Sequence, residues 1–446
     1  MTTVNPSTKG TKESKTVFRK ISVRILPIVF LMYLVNYLDR TALAVAGPNG
    51  LNDDLALTAT MFGLVSGIFF IGYILLEIPS NMIMEKVGAR IWLSRICISW
   101  GLVASLTAFM PDFWSLLVAR FLLGVAEAGF APAVFLYLTY WFPNSQRAKA
   151  YSIFLLGIPV SSAVINPFAS WLIEFANEAL TFTGWRFMLF VTGLPAIAIG
   201  ILAIILLVDR PAKAKWLSAS ERDLVISEIR QETDPTATKH STSRHGLASP
   251  RVWALGMSYM GIVYALYAVG FFAPTIVTGF AERFGTSFST TENGLIVGVP
   301  YVIAAVAMVL WSRSSSRTGD AGWHVLISAT VGAVGILLAA FLNNPWFVML
   351  GVTLCAVGVI SSMPVVFSLP AKLLTGASAA TGLALVNVLG NIGGFAGPFV
   401  TGWLRDISGS DYFPFAIIAG FLVLSGIIAA VVQSLLNRPP ELSTTS

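Results

Sequence analysis

Residues 23 to 47 read VRILPIVFLMYLVNYLDRTALAVAG, an apolar stretch long enough to cross a bilayer that carries Asp39 and Arg40 side by side. A hydrocarbon core of about 30 Å needs about 20 apolar residues of helix. A charge near the middle of such a helix costs roughly 2.5 to 3.5 kcal/mol on insertion scales, so it is kept where it meets a partner, a cavity or a substrate. The pattern recurs in the apolar stretch 113 to 140, which holds Arg120 and Glu127. Two acids and two arginines within membrane-length segments point to protons and an anion.

Stretches of this kind run along nearly the whole chain of 446 residues, which is 56% hydrophobic and 11% charged. Soluble domains average about 25% charged. The spans fall at 23 to 47, 58 to 82, 90 to 110, 113 to 140, 147 to 173 and 185 to 208. Six more follow at 251 to 279, 290 to 312, 322 to 342, 345 to 369, 378 to 404 and 412 to 436. The expected fold is an all-α membrane protein with twelve transmembrane helices in two six-helix, pseudo-symmetric bundles. Residues 1 to 22 read as an N-terminal tail, 23 to 208 as the first bundle, 209 to 250 as a linker, 251 to 436 as the second bundle and 437 to 446 as a C-terminal tail. A signal peptide is not expected ahead of the first span, because residues 1 to 20 are polar and basic.

Lys and Arg collect on alternate connections, as the positive-inside rule requires of the inner side of a membrane. All 28 basic residues lie there except Arg40, Arg120, Arg186, Arg283 and Arg405. Both termini are therefore expected in the cytoplasm. The net charge of +6 follows from topology and the membrane surface, so no nucleic-acid partner is implied. Cys97 and Cys355 both sit in spans, which makes a disulfide framework improbable. His240, His245 and His324 share no helix face with ligand spacing, so neither a metal nor another cofactor is expected. No GxxxxGK phosphate loop is present, which argues against an ATP-driven pump.

Two features mark the organisation further. Ser218 and Glu221 form a capping-box spacing ahead of Leu224, Val225, Ile226 and Ile229, so a short amphipathic helix is expected in the linker. Residues 233 to 249 read as disordered linker. The run Asn166, Pro167, Phe168, Ala169, Ser170, Trp171, Leu172 in the fifth span is echoed by Gly397, Pro398, Phe399, Val400, Thr401, Gly402, Trp403, Leu404 in the eleventh. Parallel repeats of this kind place a substrate site near the bilayer midplane and work by alternating access.

Helix geometry relates the charges. At 1.5 Å per residue, Asp39 lies about 24 Å from the inner edge of its span and Arg120 about 10 Å from the outer edge of the fourth, similar depths in a 30 Å core. Arg120 and Glu127, two helical turns apart, share a face. An arginine that moves between Asp39 and Glu127 can switch their proton affinity. Arg40 can grip a carboxylate through two nitrogens, which lysine cannot. The same four residues also fit a permanent ion-pair network that only joins spans 1 and 4. Asn36, Tyr37, Tyr73, Asn166, Tyr264, Tyr267, Asn387 and Asn391 can hydrogen-bond an anion or hold helices together. Gly382, Gly390, Gly393, Gly394, Gly397 and Gly402 suit close helix contact in span 11.

The run Asn36 to Arg40, the run from Arg120 through Gly124 and Glu127 to Pro132, and the run Gly382 to Pro398 resemble the anion:cation symporter family of the major facilitator superfamily. Within it the chain looks most like bacterial tartrate, phthalate and hydroxyphenylacetate permeases. The resemblance implies the major facilitator fold, a bacterial inner membrane and proton-coupled uptake of an organic anion. It makes Asp39 and Glu127 the protonatable pair, Arg40 the anchor for the substrate carboxylate and Arg120 the residue that communicates between the acids. Tyr73 and Asn387 match substrate-contacting positions of the sugar-acid branch, where Ile158 here replaces a glutamine and Phe367 a tryptophan. Those replacements leave room for a more apolar carboxylate. Tyr37, Asn391 and Tyr264 complete the expected substrate-binding set. The superfamily's loop GxxxDRxGRR is kept loosely by Glu85, Lys86, Gly88 and Arg90, and in the second half by Arg317 after Ser316.

The expectation is thus a proton symporter that imports a small organic carboxylate, with an exchanger or exporter on the same fold as the alternative. Its partners are the anion, protons and the lipid bilayer, and a monomer is expected. An enzyme is not: the intramembrane acids are accompanied by arginines rather than nucleophiles.

Overall fold

A computed structural model describes residues 6–179, 183–231, 248–369 and 376–437. Twelve helices among them are long and apolar enough to cross a membrane, and no strand occurs among the described residues. In chain order the principal helices are α1 (Pro6–Ala46), α2 (Ala59–Val87), α3 (Ala89–Thr107), α4 (Phe113–Glu127), α5 (Phe130–Thr139), α6 (Asn144–Leu155), α7 (Gly157–Ala179) and α8 (Gly184–Leu206). They continue with α9 (Ala219–Gln231), α10 (Pro250–Thr278), α11 (Thr290–Thr318), α12 (Ala321–Phe341), α13 (Pro345–Ser368), α14 (Gly376–Ser408) and α15 (Tyr412–Leu436).

Three boundaries differ from the sequence reading, each for a physical reason. Helix α1 begins at Pro6 rather than near residue 23, because Val17, Phe18 and Ile21 are buried and extend its apolar face. The fourth span is broken into α4 and α5: Ala128 is extended (φ −53°, ψ 131°) and Gly129 takes φ +80°, a left-handed conformation that glycine adopts without steric cost. The break falls immediately after Glu127. The fifth span parts at Leu156 into α6 and α7.

The chain forms two compact units. The first holds residues 1–56 and 68–236, the second 57–67 and 237–446. In the first, α3 packs along α8, and α1 lies against α7 and α8. Trp100, Trp141 and Trp185 are fully buried there. The linker helix α9 also belongs to this unit and starts with the expected capping box: Ser218 N donates to Glu221 Oε2 at 2.7 Å and Glu221 N to Ser218 Oγ at 3.2 Å. Its outer face is tied to α1 by Lys20 Nζ, which donates to Glu221 Oε2 at 2.9 Å. Trp216 stacks on Trp141 with ring centroids 5.7 Å apart, and Arg24 lies over its ring. Of the expected disordered linker, residues 233–247, with His240 and His245, lie outside the described residues, as do Lys372 and the tail from Arg438, while Ser249 takes the N-cap position of α10.

In the second unit, α12 packs on α13 and α15, and α10 packs on α14. The opening turns of α2 belong here too. Asp406 of α14 accepts from Ala59 N at 3.1 Å and Thr60 N at 2.7 Å, and so caps the donors that every helix start leaves unpaired.

Candidate functional site

Adjacent residues on a helix point about 100° apart, and that separation gives Asp39 and Arg40 different partners. Arg40 reaches from α1 to the last residue of α4, where its Nε and Nη2 converge on Glu127 Oε1. Its guanidinium carbon lies 4.9 Å from the Phe69 ring centroid and 5.1 Å from that of Tyr73, both on α2. Flat stacking on aromatic faces suits guanidinium and not ammonium. Glu127 is fully buried, and Asn36, equally buried one turn earlier on α1, lies beside it.

Asp39 turns toward α3. Its Oδ2 accepts from Trp100 Nε1 at 2.9 Å, while Oδ1 has no hydrogen-bond partner among the described residues. Arg120 sits with Asp39 on a small chamber completed by Thr107 of α3 and Thr192 of α8. Its Nη2 donates weakly to the Arg40 carbonyl at 3.5 Å, and its Nε has no partner among the described residues. Arg120 is 3% exposed and Asp39 4%. A buried charge with unused hydrogen-bonding capacity is costly, and the other half of the cluster shares that cost, because Glu127 Oε2 also has no hydrogen-bond partner among the described residues. Arg120 remains within electrostatic reach of both acids.

The four charges of the sequence reading therefore come together within one unit, with a particular pairing. Arg40, expected to anchor the substrate, is engaged by Glu127. Tyr73 joins them through its ring. Tyr37 is buried, and its carbonyl accepts from Thr41 Oγ1 at 2.8 Å. Sequence reasoning missed Trp100 and Phe69. A tryptophan in mid-span is a signal in itself, since its buried N–H must find an acceptor, and Asp39 was the available one at that depth.

The remaining substrate-binding candidates lie in the second unit and make a different kind of surface. Phe367 of α13 meets Tyr259 of α10 edge to face, with centroids 4.5 Å apart, and the Tyr259 ring lies against Gly390 of α14. Asn387 and Asn391, flanking that glycine on α14, are half-buried. Tyr264 is displaced from this group toward α15, where it packs on Phe421 at 4.6 Å. Tyr259 was another residue the sequence reading did not single out.

The residues that keep the GxxxDRxGRR pattern, expected to act in gating, also separate. Glu85 and Lys86 are exposed at the end of α2. Gly88 has φ +99°, and a Cβ there would stand 2.7 Å from Asp209 Oδ1. Arg90 N donates to that same oxygen at 3.0 Å, and the Arg90 side chain donates to the Ile204 carbonyl. Asp209, read from sequence only as the first linker residue, thus caps α3. Arg317 is exposed in the last turn of α11, before Gly319 at φ +73°.

The model of the Major Facilitator Superfamily matches residues 29–398 and 289–446. A protein of Agrobacterium vitis named "Putative tartrate transporter" is 40% identical over 430 residues, 96% of this chain and 94% of that one. A "Quinolone resistance transporter" of Acinetobacter baumannii is 33% identical, covering 94% of this chain and 96% of that one. Among solved structures, a bacterial homologue of the human lysosomal transporter Spinster superposes with a TM-score of 0.69 at 16% identity, over 95% of this chain and 97% of that one. That likeness concerns the fold alone.

Proposed function

The chain belongs to the major facilitator superfamily, and from that premise we propose that it imports a small organic carboxylate, tartrate-like in charge and size, together with protons. The observation that carries this reading is the buried contact between Arg40 and Glu127. Arg40 has a fork of donors suited to a carboxylate, and the carboxylate it now holds belongs to the protein. A proton on Glu127 removes that partner's charge and frees Arg40 for the carboxylate of a substrate. Loss of the proton restores the internal pair and displaces the substrate. Proton and anion are thereby coupled through one guanidinium.

Asp39 and Arg120 serve as the second protonatable position and its counter-charge, with Trp100 fixing the Asp39 carboxylate. Tyr73, Tyr37, Asn387, Asn391, Phe367 and Tyr264 supply substrate contacts, and Glu85, Lys86, Gly88, Arg90 and Arg317 act in gating. The protein sits in a bacterial inner membrane with both termini in the cytoplasm, and works as a monomer by alternating exposure of its site. The tartrate name of a relative at 40% identity supports the substrate class.

Uptake of labelled tartrate into proteoliposomes tests the reading. Accumulation should require an inward proton gradient and collapse with a protonophore; accumulation indifferent to the gradient contradicts it. Export or exchange on the same fold is a second reading, favoured by the relative named for quinolone resistance. Gradient-independent exchange against internal substrate, or efflux of a quinolone, would select it.

A further inference from the structure

A large cavity lies away from the charged cluster, between the N-terminal part of α1 and α6, and has a volume of about 850 Å³. Both walls belong to the first unit. Three cations border it, Lys15 and Arg19 one turn apart on α1 and Lys149 on α6, and all three are exposed. No acidic side chain lines it among the described residues. Below the cations the walls are apolar, with Val23 and Phe30 on one side and Ile153 on the other. Val23 is 70% exposed, so a large apolar side chain faces open space inside the groove.

Its length has a meaning. From Lys15 to Phe30 the helix rises about 22 Å, and one leaflet of a bilayer, headgroups included, is about 20 to 22 Å thick. The cations stand at the start of the first span, which begins at Ser14, and the apolar part runs inward from there. Charge at headgroup level above a hydrocarbon-lined channel one leaflet deep matches one kind of molecule. We infer that this groove holds a single anionic phospholipid, its phosphate among Lys15, Arg19 and Lys149 and an acyl chain along Val23, Phe30 and Ile153. A carboxylate substrate would use the cations but leave the apolar length empty, and a zwitterionic lipid would fill the length but not match the charge. The site is separate from the transport site, and its assignment does not rest on the proposed transport activity.

The test uses the full-length protein purified in detergent and native mass spectrometry with phosphatidylglycerol and phosphatidylcholine of identical chains. Phosphatidylglycerol should be retained about a hundredfold better, since three basic side chains at a membrane surface contribute about 1 kcal/mol each toward an anionic lipid. The combined K15Q, R19Q, K149Q variant should lose that preference while still retaining phosphatidylcholine at the wild-type level. Ile153→Trp, which fills the groove and leaves the charges in place, should lower retention of both lipids. Equal retention of the two lipids by the wild type would overturn the assignment. So would a charge-neutral variant that keeps the preference, or soluble glycerol phosphate that competes as well as the intact lipid.

Discussion

The two units carry candidate residues of opposite character. In the first, four buried ionisable side chains are held by α1, α3 and α4, and their contacts pair Arg40 with Glu127, Asp39 with the Trp100 N–H and Arg120 with the Arg40 carbonyl. In the second, Phe367, Tyr259, Asn387 and Asn391 offer rings and amides, with no buried charge among the described residues. Charges answer to protons and carboxylates; rings and amides answer to the shape of what is bound. The difference divides the labour. The first unit should decide whether transport is coupled, and the second which anion fits.

The largest expected effect breaks the charged side. Arg40→Ala leaves Glu127 buried without its partner, which costs about 3 to 5 kcal/mol. Thermal unfolding of the purified variant should show it as a large drop in Tm, and uptake should vanish. A variant with wild-type Tm would mean that the pair does not hold the unit together. Next in size, Trp100→Phe removes the donor to Asp39 Oδ2 and should destabilise by about 1 to 3 kcal/mol, the cost of an unsatisfied buried acceptor. Arg120→Lys at the neighbouring position keeps the charge and should cost less.

On the neutral side the effects should be smaller and of a different kind. If Asn387 contacts the substrate as proposed, Asn387→Ala removes one hydrogen bond worth about 0.5 to 1.5 kcal/mol, so the KM for tartrate should rise a few-fold while the dependence on the proton gradient stays as in the wild type. Phe367→Trp should alter the ranking of carboxylates in competition assays and leave coupling intact. A loss of coupling in either variant would erase the distinction between the units.

The smallest effect belongs to neither cluster. Lys20 and Ser218 hold the Glu221 carboxyl below its usual range. A carboxylate whose folded pKa is depressed contributes stability above its unfolded pKa and loses it as pH falls through the folded value. The docking of α9 on α1 should therefore weaken only in acid. Because the pair is exposed, Glu221→Gln should change the stability of the whole protein by well under 1 kcal/mol. Hydrogen exchange confined to α9 is the measurement to make.

Hydropathy made most of the fold legible, because a membrane helix must be apolar along its whole length and twelve such lengths recur. The charged residues were legible for the complementary reason, their cost in that environment. What the sequence did not reveal was direction. Neighbouring Asp39 and Arg40 looked like one motif, yet helix geometry sends one to Trp100 and the other to Glu127. The break after Glu127 was also hidden, since Gly129 sits within a single membrane-length stretch and only its positive φ shows that α4 ends there. Phe69 and Tyr259 were indistinguishable from ordinary core aromatics until their neighbours were known. Asp209 looked like linker because its partners, the N-terminal end of α3 and Gly88, are distant in the chain.

The central claim is that one guanidinium, Arg40, exchanges between Glu127 and the substrate. Glu127→Gln isolates it, because the amide mimics a permanently protonated acid. In proteoliposomes, the variant should exchange labelled tartrate across the membrane by counterflow and fail to accumulate it when an inward proton gradient is imposed. If it accumulates tartrate under that gradient as the wild type does, Glu127 is not the coupling acid and the account is wrong.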